Sequence, residues 1–324
     1  MDEKAIVLII GAGGSVPYGF LTGEQLKWAI IDGLHAVELA HDPVNIISSW
    51  AQRLLAENFN VPDLCQLRDR LRGAGWISVD EFLAEHKYLQ AVGKAAIAGV
   101  LLPCENKDQL FDPKDRQGNR ISNWYQLIFR VIYAPFQDIR QRKVSIFTYN
   151  YDCSLETYLK ESMKNSFNHP QAEKDAALSH VPVVHLHGEF ASHEYASEAR
   201  SVSLRQCSEK IAIVTDNLDD SPQFQKARDA LWAAEEIYFV GFGYDDKNLA
   251  RLPIESKYPP GSPGARGGHG RPSLNIFGSA YGVGPGVIRR VTDYFKDKGF
   301  NIQLGKANQD AYQFLRTTLR FGNQ

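Results

Sequence analysis

The sequence lacks the features that mark several classes of protein. Its 324 residues contain no apolar run near the roughly 20 residues that a membrane-spanning helix needs. A formal net charge of -2 gives no overall attraction to nucleic acid or to an anionic membrane. The acidic start, MDEKAIVLII, has no small-residue cleavage site and predicts a first core strand rather than a signal peptide. We therefore expect a cytoplasmic protein that binds neither a membrane nor nucleic acid directly.

Cysteine is scarce, and its spacing excludes one kind of metal site. None of the four cysteines forms a CxxC pair, which rules out a zinc site built from two such pairs. Free thiols are typical of a reducing compartment. His185 and His187 would point to the same face of a strand and could hold a metal, but no nearby acid–histidine set completes such a site. The sequence therefore predicts no metal ligand and no zinc. The cysteines are Cys65, Cys104, Cys153 and Cys207.

Short apolar runs rich in β-branched residues recur along the chain, each bounded by turn residues. Continuous apolar runs are typical of strands buried on both faces, as in a parallel sheet. Helix-like stretches, such as 155–164 and 224–236, separate several of the runs. This alternation predicts an α/β fold with a Rossmann-like, doubly wound parallel sheet. The runs lie at 5–10, 143–150, 181–188, 210–217, 236–243 and 273–280.

A long helical stretch interrupts this alternation after the first strand. We predict a Rossmann-like core of residues 1–23 and 142–324, with a helical insertion module at 24–141. Pro135 should kink or end the last helix of the module. A Pro- and Gly-rich segment at 256–273 predicts a mobile surface loop, either a tolerated insertion or an active-site flap. The helix candidates are 24–40, 43–58, 80–102 and 124–141.

The stretch GAGGSVPYGF, residues 11–20, follows the first apolar run. Gly11 and Gly13 fit the first two positions of the GxGxxG fingerprint of dehydrogenases, but Val16 stands at the third. The tight turn and the close backbone approach to a phosphate need only the first glycines. Ser15 can bind a phosphate or cap the following helix. The turn thus suggests a nucleotide but argues against hydride transfer, and glycine turns after strands often serve only packing.

Polar and glycine residues follow three further strand candidates. Asn150 and Asp152 should project from the carboxyl edge of the sheet, where open α/β folds bind ligands. Asp152 could instead form an Asx turn that starts the next helix, whereas an asparagine at a strand end has no such routine role. His187 stands before a glycine and suits a general base. Gly241 and Gly243 form another strand-end turn, whose chemistry could be that of an ordinary β–α connection.

In this order, the motifs resemble those of the SIR2 family, the sirtuins and their bacterial SIR2-like relatives. The segment SVDEFL at 78–83 is similar to the acidic SIDxFL segment common in the SIR2-like branch. The resemblance spans most of the chain, from about residue 5 to about residue 250. The residues that carry it are Gly11–Ser15, Thr148–Asp152, His187–Gly188 and Gly241–Gly243.

The resemblance implies roles for these residues. In the family, the glycine turn wraps the NAD pyrophosphate, the Asn and Asp of the TxNxD motif engage the nicotinamide ribose, and the histidine is the catalytic base. Carried over, these imply Asn150, Asp152 and His187 as catalytic residues. The residues implied to bind NAD are Gly11, Ala12, Gly13, Ser15, Gly19, Thr148, Gly241 and Gly243.

Two departures separate the chain from protein-deacylating sirtuins. It has no four-cysteine zinc module, and the residues after Gly19 lack the Asp-Phe-Arg of their GIPDFR-like segment. Both are typical of SIR2-like proteins that hydrolyse NAD in bacterial antiphage defence. The resemblance therefore implies an NAD glycohydrolase with NAD as its substrate. A non-catalytic NAD or ADP-ribose binding subunit is the alternative, and a deacylase is less favoured.

The resemblance also bears on assembly. SIR2-like effectors often form homo-oligomers and bind a second protein such as a HerA-type ATPase or an Argonaute. We expect the helical module to cover the nicotinamide end of the pocket, because it follows the glycine turn directly, and to supply an oligomer surface. No feature of charge or periodicity identifies the partner.

Overall fold

Six parallel strands form one sheet in the order β3-β2-β1-β4-β5-β6 in the computed structural model. The order reverses direction at β1, which pairs with both β2 and β4, so the sheet is doubly wound as predicted. The structure describes residues 4–35, 48–76, 78–199, 201–213, 221–252, 254 and 273–319. The strands are β1 Ile6–Ile10, β2 Val144–Thr148, β3 Val183–His185, β4 Glu236–Val240, β5 Asn275–Gly278 and β6 Ile302–Leu304.

Helices cover both faces of this sheet. Alternate residues of β1 enter two separate cores, with Leu8 in the larger one and Ile9 in the smaller one. No helix within the described ranges is both long and apolar enough to cross a membrane. The helices are α1 Gly23–Leu34, α2 Ser49–Ala56, α3 Val61–Gly73, α4 Val79–Glu85, α5 Gln90–Leu101, α6 Lys107–Phe111, α7 Trp124–Tyr133, α8 Ser154–Ser166, α9 Gln171–His180, α10 Leu204–Lys210, α11 Pro222–Ala233, α12 Asp246–Arg251, α13 Pro285–Asp297 and α14 Ala311–Thr318.

The described part of the stretch between β1 and β2 contains the helices α1 to α7, with turns and one isolated bridge, Lys114–Arg120, between α6 and α7. The candidate at 80–102 divides into α4 and α5, because a 3-10 turn at Lys87–Leu89 separates them. The helix that starts at Trp124 ends at Tyr133, just before Pro135, as predicted. Residues 36–47, which the first two helix candidates include, lie outside the described residues, and so does the predicted loop apart from residue 273.

The strand predicted at 210–217 is wrong in the part that the structure describes. Lys210 ends α10, and residues 211–213 belong to no strand. The Ala212 amide donates instead to the carbonyl of His187, at 2.8 Å, while Ile211 and Ile213 are buried in the larger core. Apolar residues in this segment therefore reflect burial without sheet pairing. Residues 214–217 lie outside the described ranges.

Helix α7 is fastened to the turn that follows β1. The Trp124 indole Nε1–H donates to the Gly14 carbonyl at 2.9 Å. The Tyr18 hydroxyl donates to Asn123 Oδ1 at 2.8 Å and accepts from the Tyr125 amide at 2.9 Å. The rings of Tyr18 and Tyr125 stack with centroids 3.8 Å apart. The helical stretch therefore covers the glycine turn through buried, directional contacts.

Trp124→Phe should lower the free energy of unfolding by about 1–3 kcal/mol, because it leaves the buried Gly14 carbonyl without its donor. Trp28→Phe is the matched control, since Trp28 is 47% exposed, and it should stay within about 0.5 kcal/mol of wild type. Urea denaturation followed by circular dichroism measures both. Equal losses in the two variants would contradict the anchoring role of Trp124.

Candidate functional site

Two glycine turns interlock at the point where the strand order reverses. The Gly11 amide donates to the Val240 carbonyl at 3.0 Å, and the Gly13 amide donates to the Gly241 carbonyl at 2.9 Å. Gly241 has a φ of 60°, and a Cβ there would lie 1.9 Å from the Gly14 amide nitrogen. These glycines permit the two turns to approach closely. The amides of Gly11 and Gly13 donate to backbone carbonyls of the other turn and of β4, so neither is left to bind a phosphate. Their predicted contact with NAD stays a prediction.

The other residues assigned to NAD binding lie around the same turns. Ala12 opens a 3-10 turn at Ala12–Gly14, and Gly19 ends the next one with a φ of 97°. Thr148 ends β2 and is buried, and its hydroxyl accepts from the Asn150 amide at 3.0 Å. Gly243 follows β4, and a Cβ added there would meet no atom within 4 Å. Ala12, Thr148 and Gly243 thus lie at the carboxyl edge of the sheet, whereas Gly19 lies further along the chain, against Cys104 and Gln109 of the helical stretch.

Asn150 joins the end of β2 to the glycine turn. Its side-chain Nδ2 donates to the Ser15 hydroxyl at 2.9 Å and to the Gly11 carbonyl at 3.2 Å. Asn150 and Ser15 are both buried, so these hydrogen bonds form away from solvent. Two residues that the sequence assigns to one site, 135 positions apart, are therefore in direct contact.

Asp152 lies in the same buried cluster. Its Oδ1 accepts hydrogen bonds from the amide of Ser154, at 3.2 Å, and from the Ser154 hydroxyl. Burial raises the pKa of Asp152, and hydrogen bonds from Ser154 and Ser15 oppose that rise. The Tyr125 hydroxyl reaches Ser154 Oγ at 2.8 Å, so α7 closes this cluster. Asp152 also occupies the Asx position before α8, which is the structural alternative that the sequence left open.

The cavity at this cluster is small. Its volume is about 10 Å³, which matches the room that one water molecule needs. A larger cavity of about 620 Å³ lies at α6 and α8, but exposed charged side chains line most of it and it contains none of the predicted site residues. Two residues predicted to carry chemistry, Asn150 and Asp152, line the small cavity, and neither of them lines the large one. We therefore assign the candidate site to the small cavity. The small cavity is lined by Ile10, Ser15, Tyr125, Thr148, Asn150, Asp152, Leu155, Glu156 and Val183.

The two histidines do not share a strand face as predicted, because β3 ends at His185. His187 lies beyond it and is buried, before Gly188 with its φ of 73°. The His187 ring meets Tyr149 edge-on, with centroids 4.8 Å apart. His185, which the sequence did not assign to the site, instead contacts the Asn150 carbonyl through Nδ1, at 2.7 Å. Its place at a strand end beside the TYNYD motif was the only signal for this contact.

His185 is held between acceptors. Its Nδ1 faces a carbonyl oxygen and therefore carries a proton, while its Nε2 hydrogen-bonds to the Glu156 carboxylate. Burial lowers the pKa of His185, but the charge and hydrogen bond of Glu156, with Asn150 and Glu189, outweigh it and raise the pKa to about 9. His185 is therefore a cation at neutral pH and is unsuited to act as a general base there.

The acidic segment of the helical stretch also reaches this region. The Ser78 hydroxyl accepts from the Asp80 amide at 3.1 Å and so caps α4. Asp80 Oδ1 accepts a hydrogen bond from the Tyr151 hydroxyl at 2.6 Å. Because Tyr151 lies between Asn150 and Asp152, the segment SVDEFL supports the motif that holds both residues.

Asp80 should make stability depend on pH. Burial raises its pKa from 3.8 to about 6, opposed by Tyr151 and Lys94 and reinforced by Glu81 and Asp245. The fold thus favours protonated Asp80, and this stabilisation, complete below about pH 4, is lost as pH rises through about 6.

Asp80→Asn should therefore stabilise the protein relative to wild type by about 1–2 kcal/mol at pH 7, with a smaller difference at pH 4. The full shift corresponds to about 3 kcal/mol, which we discount because Asp80 is only partly buried. Urea denaturation at both pH values measures the difference. A difference in the free energy of unfolding between variant and wild type that is no larger at pH 7 than at pH 4 would contradict the raised pKa of Asp80.

Gly241→Ala should cost about 3 kcal/mol or more, since it combines a left-handed φ with backbone overlap at Gly14. Gly243→Ala is the matched control two residues away, and it should change the free energy of unfolding by no more than about 1 kcal/mol. Thermal and urea unfolding of the two variants test this. Tolerance of alanine at both positions would show that the turns do not interlock as described.

Comparison with known proteins identifies the domain. Residues 144–256 match the model of the SIR2-like domain family. The matched range begins at β2 and contains Asn150, Asp152, His187 and the turn after β4. A search of curated proteins found no match to the chain. Residues 144–256 are therefore similar to SIR2-like domains, and this similarity supports a function related to NAD.

Proposed function

We propose that the protein is an NAD+ glycohydrolase, which cleaves the bond between nicotinamide and ribose to give nicotinamide and ADP-ribose. The observation that carries this proposal is the buried contact of Asn150 with Ser15 and Gly11, beside Asp152. It brings the glycine turn and the TYNYD motif together at the reversal point of the sheet, where open α/β folds bind nucleotides.

The chemistry needs few groups. Loss of nicotinamide leaves an oxocarbenium-like ribose, by analogy with other glycosidic cleavage. A carboxylate at Asp152 would stabilise that positive charge, and Asn150 would orient the water or the ribose hydroxyls. His187 would accept the proton of the attacking water, directly or through a ribose hydroxyl, a role worth about 10²–10⁴-fold in rate.

The pyrophosphate needs donors that the turn itself still offers. Because the amides of Gly11 and Gly13 already donate to chain carbonyls, we assign the contacts to Ala12 and to the residues near Gly243, and to the Ser15 hydroxyl once it turns from Asp152 to the phosphate. A ligand-sized site occupies about 300–1,000 Å³, far more than the small cavity provides. Substrate entry therefore requires the cluster to open, with Tyr125 of α7 as part of its wall.

One observation favours the alternative, a regulatory subunit that binds NAD or ADP-ribose without cleaving it. The Asn150 side-chain N–H groups donate to Gly11 and Ser15, so Asn150 already has a structural role in the described conformation. A deacylase is less supported, because the residues after Gly19 lack the Asp-Phe-Arg of the deacylating sirtuins and instead start α1 at Gly23.

The biological setting follows from the resemblance alone. We propose a cytoplasmic, NAD-depleting effector of bacterial antiphage defence that forms a homo-oligomer and responds to a partner such as a HerA-type ATPase or an Argonaute. Exposed aromatic side chains on the helical stretch, such as Trp28 and Tyr88, support a contact surface there. Light scattering of the purified chain tests the oligomer, and the neighbouring genes test the partner.

Asn150→Ala and His187→Ala should each abolish the loss of NAD, measured as released nicotinamide. Asn308→Ala and His180→Ala change the same residue types at exposed positions and should retain wild-type rates. Circular dichroism and melting curves establish that each variant is folded. Near-full turnover of NAD in either site variant would contradict the catalytic role of that residue. Wild type that binds ADP-ribose but releases no nicotinamide from NAD would favour the regulatory subunit.

A further inference from the structure

Four side chains with metal-binding atoms converge beside the proposed NAD site, and one of them, Glu156, also lines its small cavity. Cys153 and Glu156 lie at the start of α8, while His185 ends β3 and Glu189 follows it. One ligand atom from each lies within 4.8 Å of the others. The sequence does not predict this set of metal ligands, because the acidic residues near the histidines in sequence do not by themselves complete a metal site. The crossover from β2 to β3 supplies the missing members, since it brings the start of α8 beside the end of β3.

His185 has the orientation of a metal ligand. Its Nδ1–H donates to the Asn150 carbonyl at 2.7 Å, which fixes the ring and directs Nε2 toward Glu156 and Glu189. Histidines that bind metal ions generally donate their other ring N–H to a carbonyl or carboxylate in this way. His185 is also buried, so a surface rearrangement would not easily change this orientation.

The distances suit a tetrahedral ion of the zinc class. Cys153 Sγ lies 3.7 Å from Glu189 Oε2, and His185 Nε2 lies 3.8 Å from the same oxygen. Bond lengths of about 2.0–2.3 Å to Zn²⁺ place tetrahedral ligand atoms about 3.3–3.8 Å apart. His185 and Glu156 are in direct hydrogen-bond contact, closer than two ligands of one ion lie, and an ion would take the place of the shared proton and separate them.

The charges of the cluster also favour a cation. Two carboxylates, one thiol and one imidazole present ligand atoms within 4.8 Å of one another. A divalent ion among them would remove the proton of the thiol, because a coordinated thiol is deprotonated. One thiolate, one neutral imidazole, two carboxylates and the divalent ion then carry a net charge of −1 together.

We propose that Cys153, Glu156, His185 and Glu189 bind one divalent transition-metal ion of the zinc class. The ion would join the start of α8 to the end of β3 and so fasten the segment that carries Asn150 and Asp152. It takes no part in the cleavage chemistry, and the proposal does not rest on the proposed function.

Titration of the chelator-treated full chain with Co²⁺ tests this site. Wild type should bind one equivalent, show a thiolate-to-cobalt charge-transfer band and tetrahedral visible bands, and lose both when Zn²⁺ is added. Zn²⁺ should also raise the melting temperature. Cys153→Ser should lose the charge-transfer band, whereas Cys65→Ser, a control at another half-buried cysteine, should keep it.

Glu189→Gln provides a second variant, because the Glu189 side chain is 56% exposed and its replacement leaves the fold intact. It should weaken Co²⁺ binding by about tenfold or more while retaining the charge-transfer band. The proposal is overturned by wild type without a charge-transfer band, by a Cys153→Ser variant that retains it, or by equal affinity of Glu189→Gln and wild type. Each of these results would leave His185 and Glu156 as an ion pair only.

Discussion

The contact between the turns after β1 and β4 is the constraint on which the rest of the site depends. The Gly13 amide donates to the Gly241 carbonyl, and no side chain larger than hydrogen fits at Gly241. This close backbone passage directs the chain from β1 across the carboxyl edge of the sheet, where Ser15 meets Asn150. The glycine turn therefore has a packing role first, and any contact with NAD is added to it.

The helical stretch acts on the same region from two sides. Trp124 and Tyr125 of α7 bind the glycine turn and the Asp152 cluster, while Asp80 of α4 binds Tyr151 within the TYNYD motif. Each contact is a directional hydrogen bond made in or near the core, so movement of these helices would be transmitted to Asn150 and Asp152. Entry of a ligand much larger than one water molecule would therefore require these helices to move.

The sequence was sufficient for five of the six strands of the sheet and for the meeting of Ser15 with Asn150, for a physical reason. Strands buried on both faces read as continuous apolar runs, and polar residues at their ends collect at one edge, which is how Ser15 and Asn150 were placed together. Strand β6 was missed because Ile302–Leu304 is short and only partly buried. The strand predicted at 210–217 was wrong because Ile211 and Ile213 are buried without strand pairing, which produces the same apolar pattern as a strand. The partners of His185 and Asp80 depend on tertiary contacts that no local pattern encodes.

The central claim is that this edge of the sheet cleaves NAD rather than only holding it. The most direct measurement follows NAD, nicotinamide and ADP-ribose together by chromatography while the purified full chain is incubated with NAD. The account predicts that nicotinamide and ADP-ribose appear in equal amounts as NAD disappears. NAD that binds to the chain and remains intact throughout would contradict it.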